Sequence, residues 1–200
     1  NKIKDFRSYE VSRSFIRDPL ISILIPVYKP NLQLLEQCIK SVCNQIYGNW
    51  ELIIVDDGSQ CKDLKGFLHA FSKENARVKI KHNHSNSHIS STLNDALSLS
   101  RGSYICFLDQ DDLLFPYALF EIVKALNEFP FLRWIYTDED KITFKGTRRS
   151  PHFKPDWNYD LLTSINYICH LVAIERNILN QLGGFRTGYE GSQDWDLFLR

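Results

Sequence analysis

Apolar runs alternate with segments of helical periodicity through the first half of the chain. Three continuous runs predict strands that are buried on both faces, and one alternating run predicts a half-exposed strand. These runs lie at 20–25, 51–55, 104–108 and 78–81. Apolar residues spaced three and four positions apart predict helices between and after the strands. The helices are expected over 32–45, 64–71, 89–99 and 116–129.

Proline is expected to end the first strand. Pro26 follows the apolar run directly, and proline has no N–H to donate to a sheet ladder. We therefore expect the strand to stop at Ile25 and a loop to follow.

The pattern becomes looser beyond residue 137. It predicts a hairpin at about 144–146, a short strand at 171–174, and helices at 175–182 and from 194, after one more strand at 132–136. The repeated order of strand, helix and strand before that point is typical of a parallel sheet. The expected fold class is therefore α/β, with a Rossmann-like, mostly parallel sheet, helices on both faces and a looser C-terminal region.

Composition adds limits to this picture. A chain of 200 residues with 44% apolar content can bury a sizeable core. The formal net charge is zero, so we expect no nucleic-acid partner. No apolar run is long enough to span a bilayer. The five cysteines are scattered and several lie inside apolar patterns, which indicates reduced thiols and a cytoplasmic protein.

The ends of the chain predict its organisation. Residues 1–19 are mixed and polar and are expected to form an N-terminal extension, while 20–200 form one domain. The sequence has no initiator methionine and stops inside a helical pattern. We expect it to be part of a longer protein.

The buried run at 104–108 ends in a cluster of acidic residues. Asp109, Asp111 and Asp112 place three carboxylates within four positions, where they repel one another. A hard divalent cation, Mg²⁺ or Mn²⁺, would neutralise them, because such metals prefer oxygen ligands. A solvated acidic turn or a helix cap is the alternative, and the cluster alone leaves both open.

Other strand ends carry polar residues as well. Asp56 and Asp57 follow the second strand, and Tyr28 lies just beyond the first. Ligands of open α/β sheets bind outside the carboxyl ends of the strands, so these residues are expected on one rim. A nucleotide fits there, with one carboxylate on its base or ribose and the metal on its diphosphate. Neither a Gly-x-Gly-x-x-Gly motif nor a P-loop is present, which argues against nicotinamide, flavin and P-loop enzymes.

Three segments together resemble the family 2 glycosyltransferases of the GT-A fold. They read ISILIPVY, ELIIVDDGS and FLDQDD, at 21–28, 51–59 and 107–112. The resemblance covers roughly 20–200, and it implies a nucleotide-sugar-binding half at about 20–115 and an acceptor-side half at about 116–200. The segments at 136–141 and 153–157 further resemble the bacterial subgroup that builds O-antigen and other surface polysaccharides.

The resemblance implies roles for the nucleotide and metal residues. Asp57 matches the carboxylate that contacts the base, and Pro26 and Tyr28 line the base pocket. Asp109 and Asp111 match the outer positions of the metal-binding Asp-x-Asp motif, and Asp109 also lies at the nucleotide. Mn²⁺ or Mg²⁺ is the implied cofactor.

The resemblance also implies a catalytic base. Asp194 takes the position of that carboxylate in inverting members, although an aspartate near a helix start is also a common cap. Four further residues are candidates. Asp112 is a metal ligand, a ribose contact or a helix cap, and Glu190 contacts the acceptor. His170 is a metal ligand or a packed core residue, and Trp195 stacks on a sugar or belongs to the core. Weaker candidates for a diphosphate contact are Lys141, Lys154 and Arg200.

One motif departs from the family pattern. The family has Asn-x-Gly-Ile followed by a basic residue and Asn, whereas this chain has His88 at the Gly position and Leu93 at the basic position. Asn94 is kept. The departure leaves donor preference and, more weakly, activity open.

The expected function follows from these residues. It is metal-dependent, inverting transfer of a sugar from a UDP- or dTDP-type donor to a saccharide or lipid-linked acceptor in surface polysaccharide synthesis. The protein is expected in the cytoplasm, with peripheral association at the inner face of the plasma membrane through other regions. Two alternatives are a non-catalytic nucleotide-sugar-binding or scaffold domain and a sugar-1-phosphate nucleotidyltransferase.

Overall fold

A computed structural model describes residues 15–200, so the extension predicted over 1–19 lies largely outside the described part. Its last residues contact the domain. The ring of Phe15 lies 5.2 Å from that of Phe120 between centroids, and the Arg17 backbone exchanges hydrogen bonds with the Asn127 side chain.

The strands follow the predicted order. They are β1 (Ile21–Val27), β2 (Trp50–Asp56), β3 (Val78–His82), β4 (Tyr104–Phe107), β5 (Trp134–Tyr136), β6 (Glu139–Ile142), β7 (Arg148–His152) and β8 (Val172–Glu175). The helices are α1 (Leu32–Cys43), α2 (Lys62–Glu74), α3 (His88–Leu99), α4 (Ala118–Glu128), α5 (Tyr159–Ser164), α6 (Arg176–Gln181) and α7 (Gln193–Leu199).

The centre of the molecule is a six-stranded sheet with the order β3-β2-β1-β4-β8-β5. The ladders β1–β2, β1–β4 and β2–β3 are parallel, while β8 runs antiparallel to both β4 and β5. The predicted, mostly parallel sheet is thus confirmed. The hairpin β6–β7 forms a separate two-stranded sheet.

Alternation along the central strands divides the core into two layers. Ile21, Ile23 and Ile25 point to the face covered by α1, α2 and α4, and all three are fully buried. Leu24 points to the opposite face, which α3, α5, α6 and α7 cover. Because both faces carry helices, β1 is apolar at nearly every position.

The prediction that Pro26 ends the first strand is wrong. β1 continues through Pro26 to Val27, opposite Val55 and Asp56 of β2. Leu24 and Pro26 are two positions apart, so their backbone N–H and C=O positions point to the same side, toward β4. The ladder with β4 ends at Phe107, which lies opposite Leu24. The missing N–H therefore faces the open space beyond β4, where no ladder bond is lost.

His88 begins α3 with a left-handed backbone. Its φ is 67°, in the region that favours glycine, which is the residue that the family pattern has at this position. The carbonyl of His88 accepts a hydrogen bond from the Thr92 hydroxyl at 2.9 Å, so the turn is part of the helix start.

We predict that His88→Gly stabilises the protein. Removing the Cβ relieves about 1 kcal/mol of backbone strain, which corresponds to a rise of about 2–4 °C in melting temperature for a domain of this size. Thermal unfolding followed by circular dichroism measures the change.

Ser98→Gly is the matched control, because Ser98 is exposed on the same helix without a positive φ. Glycine there should lower stability by about 1 kcal/mol. Equal losses in the two variants would contradict the strain at His88.

Candidate active site

The ends of β1 and β4 are joined by one side chain. Gln110 accepts a hydrogen bond from the Tyr28 backbone N–H at 3.0 Å and donates one to its carbonyl at 3.4 Å. Tyr28 keeps 41% of its surface exposed, beside the partly buried Pro26. The predicted base-pocket residues and the acidic turn therefore share one rim of the sheet.

Asp57 holds the loop between β3 and α3. Its carboxylate accepts hydrogen bonds from the Ser87 backbone N–H at 2.9 and 3.1 Å and from the Ser87 hydroxyl at 2.8 Å. Gly58 makes this approach feasible, since its φ is 71° and a Cβ would stand 2.5 Å from the Ser85 carbonyl carbon. Asp57 is only 3% exposed, so it forms one wall of the rim.

The neighbouring Asp56 has a structural role. It is fully buried, and it accepts hydrogen bonds from the Ser59 backbone N–H at 3.0 Å and from the His82 ring at 2.9 Å. Burial alone would raise the pKa of Asp56, but the bonds from Ser59 and His82 outweigh it and lower the pKa. Of the two adjacent carboxylates, Asp57 contacts the loop between β3 and α3, and Asp56 contacts His82 at the end of β3.

The acidic turn meets a histidine from a distant part of the chain. Ligand atoms of Asp109, Asp112 and His170 all lie within 4.8 Å of one another. The Nε2 atom of His170 is 3.4 Å from Oδ2 of Asp109. Asp111, which the sequence pairs with Asp109, is exposed and does not belong to this group. The geometry thus brings together Asp109 and two of the further candidates.

The charges in this cluster are only partly balanced. Contact with His170 lowers the pKa of Asp109 despite burial. Burial raises the pKa of Asp112, and the nearby carboxylates of Asp109, Asp111 and Glu139 add to the rise against the opposing effect of His170. A cation at this position would remove that repulsion.

The donor set fits a divalent metal. Two carboxylates and one imidazole are ligand types that Mn²⁺ accepts, and carboxylates suit Mg²⁺ as well. In the part of the chain that the structure describes, Nδ1 of His170 is buried without a hydrogen-bond partner, so nothing competes for the ring from that side.

Asp194 lies at the start of α7 without capping it. Ser192 occupies the N-cap position, and Asp194 is the second helical residue. Its Oδ2 atom accepts a hydrogen bond from Nδ2 of Asn166 at 2.8 Å. Burial acts to lower the pKa of His170, but the contact with Asp109 and the charges of Asp112 and Asp194 outweigh it and raise the pKa. Asn166 also accepts a hydrogen bond from the Cys169 backbone N–H at 3.4 Å, so Asp194 is linked through Asn166 to the residue before His170.

Glu190 and Trp195 lie differently from Asp194. The Glu190 carboxylate is exposed and accepts hydrogen bonds from the Gly188 backbone N–H at 3.0 and 3.1 Å. Trp195 donates its indole N–H to the Leu162 carbonyl at 2.6 Å and packs against the core. The ring that could stack on a sugar is thus engaged in holding α7 on α5.

The side chains of Lys154 and Arg200, which were weaker candidates for a diphosphate contact, bond instead to groups of the protein. Asn166 is a site residue that was not predicted from the sequence. The Lys154 side chain is 1% exposed and bonds to Glu139 and to backbone carbonyls. Arg200 donates to the carbonyls of Leu182 and Gly184. Asn166 gave no motif, although it lies four residues before His170, which the sequence singled out.

Across residues 15–200, no helix combines the length and the apolar character needed to cross a bilayer.

Curated relatives match almost the whole chain. It is 44% identical over 194 residues to the uncharacterized protein y4gI of Sinorhizobium fredii (strain NBRC 101917 / NGR234), covering 97% of this chain and 21% of that protein. It is 38% identical over 184 residues to the O-antigen biosynthesis protein RfbC of Myxococcus xanthus, covering 92% and 14%. The chain therefore spans less than a quarter of the length of either relative.

Solved structures share the fold at low identity. The S. aureus TarS fragment 1–349 in complex with UDP has a TM-score of 0.71 at 16% identity, covering 88% of this chain and 53% of that one. The mannosyltransferase PcManGT from Pyrobaculum calidifontis, in complex with GDP-Man and Mn²⁺, has a TM-score of 0.65 at 17% identity, covering 98% and 57%. These likenesses confirm the expected GT-A fold.

A sequence model of the family Glycosyl transferase family 2 matches residues 22–183. The match includes β1, the end of β2 and the acidic turn after β4, which are the segments on which the resemblance rests. Since it extends over more than half of the sequence, the chain belongs to glycosyl transferase family 2 and carries its catalytic-domain fold.

Proposed function

We propose that the protein is a metal-dependent, inverting glycosyltransferase that moves a sugar from a UDP- or dTDP-type donor to a saccharide or lipid-linked saccharide. The observation that carries this proposal is that Asp57 and the Asp109 cluster lie at the carboxyl ends of the strands, while Asn166 links Asp194 to the segment that carries His170. Family membership sets aside the nucleotidyltransferase alternative. The name of RfbC supports a role in surface polysaccharide synthesis, and we propose that the reaction takes place in the cytoplasm or at the inner face of the plasma membrane.

The donor is held by both sides of the rim. Pro26 and Tyr28 line the base pocket, and Asp57 accepts a hydrogen bond from the N–H of a pyrimidine base. The UDP bound to TarS supports this choice of nucleotide. Asp57 also fixes the loop between β3 and α3 through its bonds with Ser87.

Asp109, Asp112 and His170 form the set that the geometry favours for a Mn²⁺ or Mg²⁺ ion. Asp111 is the second ligand that the family motif implies, and its exposed carboxylate faces the solvent side of the turn. The Mn²⁺ in PcManGT supports this cofactor class. When bound, the metal supplies positive charge to the leaving diphosphate.

Asp194 removes the proton from the acceptor hydroxyl. Its carboxylate lies in the first turn of α7. Asn166 donates to one oxygen and orients the group. The attacking hydroxyl then displaces the diphosphate in one step, which inverts the anomeric carbon; the departing diphosphate needs no protonating acid.

Activity is tested by measuring nucleotide release from a panel of nucleotide sugars with and without Mn²⁺. Release that needs both Mn²⁺ and an acceptor supports transfer. Binding of a nucleotide sugar without any turnover would instead support the non-catalytic alternative, to which His88 in place of Gly points.

We predict that Asp109→Asn and His170→Gln each weaken Mn²⁺ binding in the presence of UDP by more than about tenfold, the loss usual even for residues in the outer shell of a metal site. Isothermal titration with Mn²⁺ measures the effect. Wild-type affinity in both variants would contradict the metal site.

Asp111→Asn and Asp112→Asn, measured in the same titration, form a matched pair. The larger loss identifies the second carboxylate ligand, since the geometry favours Asp112 and the motif favours Asp111.

We predict that Asp194→Asn lowers sugar transfer by about a hundredfold or more, the usual scale for losing a general base, with donor and Mn²⁺ affinity nearly unchanged. Glu190→Gln is the matched control, because Glu190 bonds to Gly188 within its own turn. Wild-type transfer in Asp194→Asn together with a loss in Glu190→Gln would assign the base to Glu190.

We predict that Asp57→Ala weakens UDP binding by roughly 10–100-fold, as expected for one hydrogen bond to a charged group, and leaves the affinity for Mn²⁺ alone unchanged. Ser87→Ala separates the two roles of Asp57, because it removes a loop contact and keeps the carboxylate. An equal loss in both variants would mean that Asp57 acts only through the loop.

A further inference from the structure

Lys154 is a buried cation beside the candidate metal site. It follows β7, and its side chain is only 1% exposed. The ammonium group donates to the carbonyls of Ile168 and His170, the latter at 2.8 Å, and to Oε2 of Glu139 at 3.1 Å. An ammonium group has three donors, and each one here has an acceptor. Such full pairing offsets the cost of removing the charge from water.

Two of these acceptors lie in the segment that carries His170. The carbonyls of Ile168 and His170 flank Cys169, so the Lys154 ammonium group bonds to the backbone on both sides of that residue. The carboxylate of Glu139, the first residue of β6, is the third acceptor of the Lys154 ammonium group. Its pKa is lowered because the contacts with Lys154, His152 and the His170 backbone outweigh its burial. The hairpin and the segment 166–170 are thus joined through the side chains of Lys154 and Glu139.

The imidazole of His170 depends on this backbone for its direction. A metal-binding histidine usually donates its second ring nitrogen to a neighbouring oxygen, which orients the ring. In the described part of the chain, Nδ1 of His170 has no such partner. The ring faces Asp109 while the side chains of Lys154 and Glu139 hold the backbone of residues 168–170 in place.

We infer that Lys154 is a positioning residue that keeps the His170 ring directed at Asp109. The inference rests on the proposed function in so far as the two residues bind a metal. The same segment carries Asn166, which holds Asp194 at 2.8 Å. Lys154 therefore contacts the short segment that carries both His170 and Asn166.

The test compares Lys154→Met, which keeps the length of the side chain and removes its charge, with Lys145→Met in the exposed hairpin turn. The first measurement is the rate at which iodoacetamide alkylates Cys169 in metal-free protein, followed by peptide mass spectrometry. We expect Lys154→Met to raise this rate severalfold when it is expressed per thiolate, because the segment on both sides of Cys169 is released. The rate is divided by the thiolate fraction because burial raises the pKa of the Cys169 thiol and the Lys154 charge acts to lower it. Lys145→Met should match the wild type.

The second measurement is the binding of Mn²⁺ in the presence of UDP, followed by the paramagnetic resonance of the free ion. We expect Lys154→Met to weaken binding by about 10–100-fold, the range for residues that orient a metal ligand. Wild-type Mn²⁺ affinity in Lys154→Met would overturn the inference, even if Cys169 becomes more reactive. An unchanged alkylation rate would overturn it as well.

Failure of the proposed function gives a different result. If the wild type binds no Mn²⁺, the metal assignment fails, while the alkylation rate still decides whether Lys154 holds the segment. Lys154→Arg covers the case in which Lys154→Met does not fold. The wider, planar guanidinium cannot reproduce the same three bonds, so we expect smaller shifts in the same directions. Wild-type values for Lys154→Arg in both measurements would then overturn the inference.

Discussion

Burial of the central strands on both faces is the constraint on which the rest of the molecule depends. All side chains of β1 from Ile21 to Ile25 are fully buried, so a ligand has no access along the length of the strand. The polar groups that do occur there are paired with one another, as the Ser22 hydroxyl and the Glu51 carboxylate are at 2.8 Å. Binding and chemistry are therefore confined to the carboxyl ends, where the backbone leaves the sheet.

Carboxylates then gather at the rim, and each is stabilised differently. Asp57 has backbone and hydroxyl donors, Asp109 has His170, and Asp194 has a neutral amide. The surroundings of Asp112 raise its pKa, since burial and neighbouring carboxylates outweigh the imidazole. The excess negative charge is thus concentrated beside Asp109 and Asp112. That is where a cation would gain most, which supports placing the metal there rather than at Asp57.

The sheet and the positions of the strand ends could be predicted because their signals are local. A buried run, a glycine at positive φ such as Gly58 and a turn of acidic residues each occupy a few consecutive positions. The extent of β1 could not, because the place of Pro26 depends on how far β4 reaches. The hairpin lies between Asp109 and His170 in the sequence, and no periodic pattern of residues predicts a contact between positions so far apart. Lys154 was equally hidden, since two of its acceptors are backbone carbonyls, which every residue has.

The segment from Asn166 to His170 connects the two halves of the proposed reaction. One end orients Asp194 and the other directs an imidazole at Asp109. Displacement at an anomeric carbon requires that the attacking hydroxyl and the leaving diphosphate keep a fixed separation, since small misplacements lower the rate strongly. Two independent loops would allow that separation to vary with their separate motions. A single short segment, whose backbone accepts hydrogen bonds from the buried Lys154 ammonium group, would make the proposed base and the proposed metal ligand move together, so that the fold sets their spacing.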